Sequence, residues 1–237
     1  MAGRLPVIYL HGLARATPML SPALAGAFDT GAVTVVDLPG FDGKSGFVAP
    51  TEYLDWLTIL WDRIDATGAL PCPVIGSSLG GMLAAELAVL RPEAVTSLVL
   101  LSPLGMWDDA HPVTDVFALV ERDRLPVMFH GPVPDAFMPS PAEHDSMDAR
   151  IARYLPQVAA ASLMWPLPDH GLAKRIHRLT APTLLLWGAE DRVAPVGLSE
   201  RWPADHRAVI PRAGHLMEWD APVEVGRQIR QFLGHGT

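Results

Sequence analysis

The stretch that most constrains this chain runs from Cys72 to Arg91-Pro92. Cys72–Ile75 is short and apolar, the pattern of a buried strand, and from Leu79 apolar residues recur at helical spacing through Leu90. Arg91-Pro92 stops the run. Between strand and helix lies Gly76-x-Ser78-x-Gly80. A turn that takes a strand straight into a helix leaves almost no space two residues before and after its centre, so those positions must be nearly free of side chain. Its gain is a serine hydroxyl held proud at the end of a sheet, beside the amides of a helix N-terminus. The bare pattern is weak. With a strand before it and a helix after it, it reads as a nucleophile elbow.

The rest of the chain supplies a sheet for that turn. Val7-Ile8-Tyr9-Leu10 reads as a strand ending at His11-Gly12-Leu13, and Ser21-Pro22 opens an amphipathic helix over about Met19–Phe28. Ala32–Val36 is a second strand, β-branched and expected to be fully buried. A turn-rich loop, Asp37–Gly46, leads to a helix opened at Thr51 and ended by Gly68. After the elbow and its helix, Val95–Leu101 is a fourth strand closed by Ser102-Pro103. This alternation predicts an α/β fold, a mostly parallel sheet of about six strands with helices on both faces. Right-handed crossovers put all strand C-termini on one edge, where such sheets bind ligands.

From Leu104 to about Arg178 the alternation stops. The segment is rich in proline, has no convincing strand, and carries two helical patches, about Val113–Arg122 and about Ser146–Leu163. Its Met, Trp, Phe and Leu content argues against a disordered linker. It reads as a helical lid, residues 104–178, inserted into a core made of residues 1–103 and 179–237. The sheet then resumes with the strands Pro182–Gly188 and Arg207–Ile210, and Pro222–Leu233 is the closing amphipathic helix.

A serine hydroxyl is a poor nucleophile at neutral pH; it needs a base, and the base needs a third group to fix its tautomer. Two loops at the same sheet edge as Ser78 qualify. Asp191 follows Trp187-Gly188-Ala189-Glu190, and His215 follows Ala213-Gly214 on the next strand; Asp108 and Asp109, after the preceding strand, compete with Asp191 for the acid role. The amide of Leu79, at the helix N-terminus, and that of Leu13, after the first strand, are placed to form an oxyanion hole. His11 is expected to orient the oxyanion loop beside Gly12, and Ser77 to support or line the site rather than to compete as nucleophile. Met106 and Trp165 are candidates for an apolar acyl pocket, Leu216 for its neighbour at the histidine, and Arg150, Arg153 and Arg175 for contacts to a substrate carboxylate.

Composition excludes several classes. A net charge of −8 without a basic patch argues against a nucleic-acid partner. The nine histidines are not paired at ligand spacing, so no metal site and no cofactor are expected. Cys72, the single cysteine, forms no intrachain disulfide and reads as a small buried hydrophobe. No apolar run reaches the length of a membrane span and the N-terminus carries no signal-peptide core, so the default location is the cytoplasm. Oligomeric state is left open.

Five motifs in order resemble those of the α/β-hydrolase superfamily: His11-Gly12-Leu13, Asp37-Leu38-Pro39-Gly40, Gly76-Ser77-Ser78-Leu79-Gly80-Gly81, Trp187-Gly188-x-x-Asp191-x-x-x-Pro195 and Gly214-His215. The resemblance spans about Val7 to Leu233 except the lid. It implies the α/β-hydrolase fold, with Ser78 as nucleophile, Asp191 as acid, His215 as base and the Leu13 and Leu79 amides as oxyanion donors. Relative to the family, the chain begins at what would be the third strand of the sheet, and Asp42 looks like an insertion in the glycine–aromatic loop. The flavour is that of small bacterial serine esterases acting on a small-molecule ester or related acyl substrate. Carbon–carbon bond hydrolases of ring-cleavage pathways are the alternative, suggested by Trp165-Pro166-Leu167-Pro168-Asp169; Ser77 and Leu216 stand where those enzymes often carry Asn and Trp. A non-catalytic ligand-binding protein on the same fold is the third reading.

Overall fold

Strands whose residues are apolar on both faces can only sit in a sheet that is covered on both sides. The computed structural model has such a sheet, and it describes residues 6–13, 19–29, 31–41, 50, 52–138, 146–165, 167 and 170–234. Residues 42–46 of the Asp37–Gly46 loop, Asp42 among them, Thr51, and Pro166, Pro168 and Asp169 lie outside the described residues.

Six strands, β1 (Val7–Leu10), β2 (Val33–Val36), β3 (Cys72–Ser77), β4 (Val95–Leu101), β5 (Thr183–Gly188) and β6 (His206–Ile210), form one sheet in the order β2-β1-β3-β4-β5-β6. Every neighbouring pair is parallel. Alternate residues serve opposite faces. Ile8, Leu10, Val74, Leu98, Leu100, Leu185 and Trp187 join one core with α2 (Tyr53–Asp65) and α3 (Leu79–Leu90). Val7, Tyr9, Ile75, Val99, Leu101, Leu184 and Leu186 join the other, against α1 (Pro22–Ala27) and the closing helix Pro222–Phe232. Ser21 caps α1, its Oγ accepting from the Leu24 amide, with Pro22 in the first turn.

The second strand corrects one expectation. Val33, Thr34 and Val35 are only half-buried, because β2 is the outer strand of the sheet and shares a ladder on one side alone. The chain crosses from β2 back over β1 to β3, so the order of strands reverses between β1 and β3. Parallel sheets of this kind place their ligand sites beyond the strand C-termini at such a point, and the His11–Leu13 loop and the elbow flank it.

The segment between β4 and β5 is built differently. The helix expected over Val113–Arg122 is absent; residues 113–120 are irregular and the helix that follows, α4, spans Glu121–Met128. Partners outside the segment decide this. The Thr114 amide donates to Val193 O and its hydroxyl to Arg192 O, while the Asp115 carboxylate takes the amides of Phe117 and Ala118. The second patch is a helix, α5 (Met147–Met164), capped by Ser146, whose Oγ accepts from the Ala149 amide. It buries Gln157, Ala160, Leu163 and Met164 and leaves Ile151, Tyr154, Leu155 and Val158 exposed. The short helices α6 (Leu172–Arg175), α7 (Met217–Asp220) and α8 (Pro222–Phe232) complete the described set.

Two charged side chains, one of them buried, tie the segment between β4 and β5 to the core. Glu86, on α3, is fully buried and accepts from the Tyr53 hydroxyl at 2.9 Å and from Arg175 through both oxygens. Arg192 donates to Phe129 O at 2.7 Å and also to Pro126 O, which holds the end of α4 against the loop after β5.

Candidate active site

The turn between β3 and α3 has the geometry its glycines allow. A Cβ on Gly76 would stand 2.4 Å from Gly80 O, and one on Gly80 would stand 2.2 Å from Leu10 O. No rearrangement short of moving backbone accommodates either. Ser78 sits at φ 54°, ψ −119°, a conformation that residues with a Cβ seldom adopt. Its amide donates to Leu101 O at 2.9 Å and its carbonyl accepts from Leu104, Gly81 and Met82, so backbone on both sides holds the strain in place.

Three loops at this edge bring Ser78, His215 and Asp191 together. His215 Nε2 lies 2.7 Å from Ser78 Oγ, and His215 Nδ1 lies 2.8 Å from Asp191 Oδ2. Asp191 Oδ1 accepts from the amides of Val193 and Ala194, both at 2.9 Å. With one carboxylate oxygen spent on backbone amides, the other is aimed at the ring. The hydrogen-bond pattern assigns the neutral tautomer: Nδ1–H donates to Asp191, and Nε2 accepts the Ser78 hydroxyl. Ser78 is 0% exposed and His215 1%, so the arrangement is closed off from solvent. Asp108 and Asp109 turn elsewhere; Asp108 faces His111 and Asp109 takes the indole N–H of Trp107.

The residues around this cluster separate into those at the site and those away from it. Gly12 lies against Ser78: a Cβ there would be 3.1 Å from the serine Cβ and 3.4 Å from Leu216 Cδ2. Leu13 and Leu79 are buried beside it. His11 is buried, with Nδ1 2.9 Å from Gly12 O and Nε2 accepting from the Leu38 amide at 3.3 Å. Burial pushes its pKa down to about 4. A neutral ring donating to Gly12 and accepting from Leu38 ties the loop after β1 to the loop after β2. Ser77 does not line an open pocket; its hydroxyl points beneath the site and donates to Glu218. Met106 packs in the core and meets Leu104, Trp107, Val113 and Met164 around a small cleft. Trp165 is 57% exposed and donates its indole N–H to Asp115, since the ring leaves α5 at its last turn and swings outward. Arg175 is engaged by Glu86 and His170 O, and Arg150 and Arg153 border an open groove of about 1100 Å³ on the outer side of α5.

Four residues of consequence gave no motif. Gln157, from α5, donates its side-chain amide to Leu13 O at 3.0 Å. Asp220 Oδ2 accepts from the amides of Gly214 and His130, both at 2.8 Å, and so joins the histidine loop to the segment after α4. Tyr9 and Glu218 share a hydrogen bond beneath the site. The one available signal was spacing: Glu218 and Asp220 fall within a turn or so of His215. Among the described residues no group of three or more His, Cys, Asp or Glu is assembled as a metal site, and no helix is long and apolar enough to cross a membrane.

A parallel sheet with a strained serine at the turn after β3, backed by a histidine and a carboxylate from later strand ends, defines the α/β class of serine hydrolases. The sequence comparison agrees. A family model described as "Alpha/beta hydrolase family" matches residues 7–228, and the chain belongs to that family. It is 30% identical over 217 residues to a pimeloyl-[acyl-carrier protein] methyl ester esterase of Aeromonas salmonicida, covering 84% of each chain. It is also 30% identical over 222 residues to a 2-hydroxy-6-oxononadienedioate/2-hydroxy-6-oxononatrienedioate hydrolase of Paraburkholderia phymatum, covering 85% of this chain and 76% of that one. Among solved structures, a putative lipase from Acinetobacter baumannii AYE superimposes with a TM-score of 0.72 at 20% identity, over 99% of this chain and 85% of that one, a likeness of fold.

Proposed function

We propose that the protein is a carboxylic-ester hydrolase that works through an acyl-enzyme on Ser78. The observation that carries this is the His215 ring held within hydrogen-bond distance of both Ser78 Oγ and Asp191 in a site shielded from water. His215 Nε2 takes the serine proton as Oγ attacks the ester carbonyl, and Asp191 holds the imidazolium that results. The amides of Leu13 and Leu79 receive the negative charge that develops on the carbonyl oxygen. The imidazolium then protonates the leaving alcohol. Water, activated by the same histidine, releases the acid.

Residues 104–178 serve as a lid over the core of residues 1–103 and 179–237. The clamps at Arg192, Asp220 and Gln157 support this, since each joins the insertion to a loop of the site. The substrate is a small-molecule ester and the enzyme cytoplasmic; the net charge of −8 supports a substrate of this kind over nucleic acid. Cleavage of a carbon–carbon bond in a ring-cleavage product is the second reading, favoured by the Paraburkholderia relative. It calls for a free cation near the serine, and the engagement of Arg175 by Glu86 counts against it.

The test is a panel of p-nitrophenyl esters of increasing chain length run beside one ring-cleavage product, together with a fluorophosphonate probe. Ester turnover and labelling that both vanish in Ser78→Ala are expected. Faster consumption of the ring-cleavage product than of any ester would favour the second reading, and undiminished ester turnover in Ser78→Ala would exclude the first.

A further inference from the structure

Three buried acids lie close to the site, and their surroundings differ. Asp191 has two backbone amides on one oxygen and His215 on the other. Glu86 has Arg175. Glu218 is 1% exposed; its Oε1 accepts from Ser77 Oγ at 2.6 Å and from the Tyr9 hydroxyl at 3.3 Å. Its Oε2 is buried and has no partner among the described residues.

The elements packed around Glu218 bring no compensating charge. β1 presents Tyr9, β3 presents Ser77, and His215 lies three residues earlier in the same turn. On α7 itself Asp220 is spent on the amides of His130, Gly131 and Gly214. α1 has no titratable side chain, while on α8 Glu224 pairs with Arg227 at the surface and Arg230 reaches Gly26 O. Besides the two hydroxyls, only the residue's own amide and the neighbouring His215 ring favour its charged form, and a charge buried with a bare second oxygen is costlier than a neutral acid in the same place. Burial accordingly raises the Glu218 pKa, and it raises that of Tyr9 as well.

We propose that Glu218 is a positioning residue, a neutral acid whose single carbonyl oxygen pins together three of the loops at the site, those after β1, β3 and β6. Tyr9 lies two residues before the His11–Leu13 loop, Ser77 adjoins the strained Ser78, and Glu218 is one turn beyond His215. One oxygen therefore fixes the ends of β1 and β3 against the loop that carries the base. Neutrality leaves Asp191 as the carboxylate that alone supports the imidazolium. The role presupposes the Ser78 hydrolase reading; the acid's protonation does not.

The test compares Glu218→Gln, Glu218→Leu and Ser77→Ala, with active sites counted by the fluorophosphonate burst. Glutamine keeps the acceptor and the neutrality, so it retains kcat within about threefold and leaves the acid limb of the kcat/KM profile in place. Leucine removes the acceptor and lowers kcat by about 10–100-fold per active site with KM nearly unchanged. Ser77→Ala, a small excision that spares the fold, lowers kcat by about tenfold. A glutamine variant as impaired as leucine, or an acid limb moved to lower pH, would show that charge matters and overturn the neutral acid. Full kcat in Glu218→Leu or in Ser77→Ala would overturn the positioning role. Independently of turnover, the infrared difference spectrum between wild type and Glu218→Gln at neutral pH should show the carbonyl stretch of a protonated carboxyl. Absence of that band would refute neutrality; an inert wild type that shows the band would sink the hydrolase reading instead.

Discussion

The sheet edge and the segment between β4 and β5 are held by different physics. At the edge, position is set by backbone: Gly76 and Gly80 admit no side chain, Ser78 is strained between fixed amides and carbonyls, and the Asp191 carboxylate is oriented by two peptide N–H groups. That segment is tied down by long polar side chains that cross its border with the core, Arg175 to Glu86 and Gln157 to Leu13 O from its own side and Arg192 to Phe129 O from the core. Backbone packing gives angular precision at a cost in strain. Side-chain ties are individually weaker, and a segment held by a few of them can be released. Rigidity is thus concentrated where geometry decides a rate.

The largest effects are expected at the edge. Asp191→Asn keeps the fold and lowers ester kcat by about 10³–10⁴-fold, because asparagine stabilises the wrong histidine tautomer; an active Asp191→Asn enzyme would mean that another acid serves the ring. Gly80→Ala has no room for its methyl against Leu10 O. It should fail to give a cooperative thermal transition, and a natively melting Gly80→Ala protein would show the elbow to be pliable.

A pH effect of intermediate size belongs to the same edge. The folded-state pKa of His11 is held at about 4 by burial, below the 6.5 of an exposed histidine. The unfolded chain therefore binds a proton between those values that the folded chain refuses. Stability is full above about pH 6.5 and falls as pH drops toward about 4, by about 3 kcal/mol in all for this one group. Chemical denaturation across that window should be steeper in pH for wild type than for His11→Asn; equal slopes would mean that the ring is protonated in place.

Releasing the insertion should cost stability more than chemistry. Arg175→Met strips the cation from Glu86 and leaves the Tyr53 hydroxyl as its donor. A loss of about 2–3 kcal/mol and of about 5–10 °C in Tm is expected, with kcat little changed. Adding Glu86→Leu should restore part of the loss, since the penalty comes from the stranded charge. If kcat instead collapsed with Tm unchanged, the division between the two regions would be wrong.

The same contrast governs what could be read from sequence. Gly76, Ser78, Gly80, Asp191 and His215 stand out because backbone geometry forbids most alternatives there, and the six-strand parallel sheet follows from apolar runs bounded by turn residues. Half-buried β2 was misjudged because a β-branched run looks alike at a sheet edge and at its centre. The 113–120 stretch was misread as helix because its apolar spacing reflects packing of Val116, while Thr114 is bound to residues some eighty positions away. Glu218, Gln157 and Glu86 carry no motif. Their significance lies in burial and in one distant partner each, and neither leaves a periodic trace.

Gln157 is where the two regions meet, and the smallest prediction concerns it. Its amide donates to Leu13 O, its Oε1 is buried without a partner among the described residues, and the side chain is 7% exposed. Leu13 is the proposed oxyanion donor in the loop after β1, so in that reading a residue of the proposed lid would orient a group on the rigid side of the site. Gln157→Leu removes the tie and also the cost of the unpartnered oxygen, so stability should hardly move. Loss of orientation at Leu13 should lower kcat by about 3–10-fold, with KM for short-chain esters nearly constant. Gln157→Glu separates the two contributions. A carboxylate cannot donate to Leu13 O and would be buried beside it, so this variant should lose both activity and stability. If Gln157→Leu proved fully active, the oxyanion loop would be held by the sheet edge alone, through His11 and Gly12, and the insertion would be a cover without a part in the chemistry.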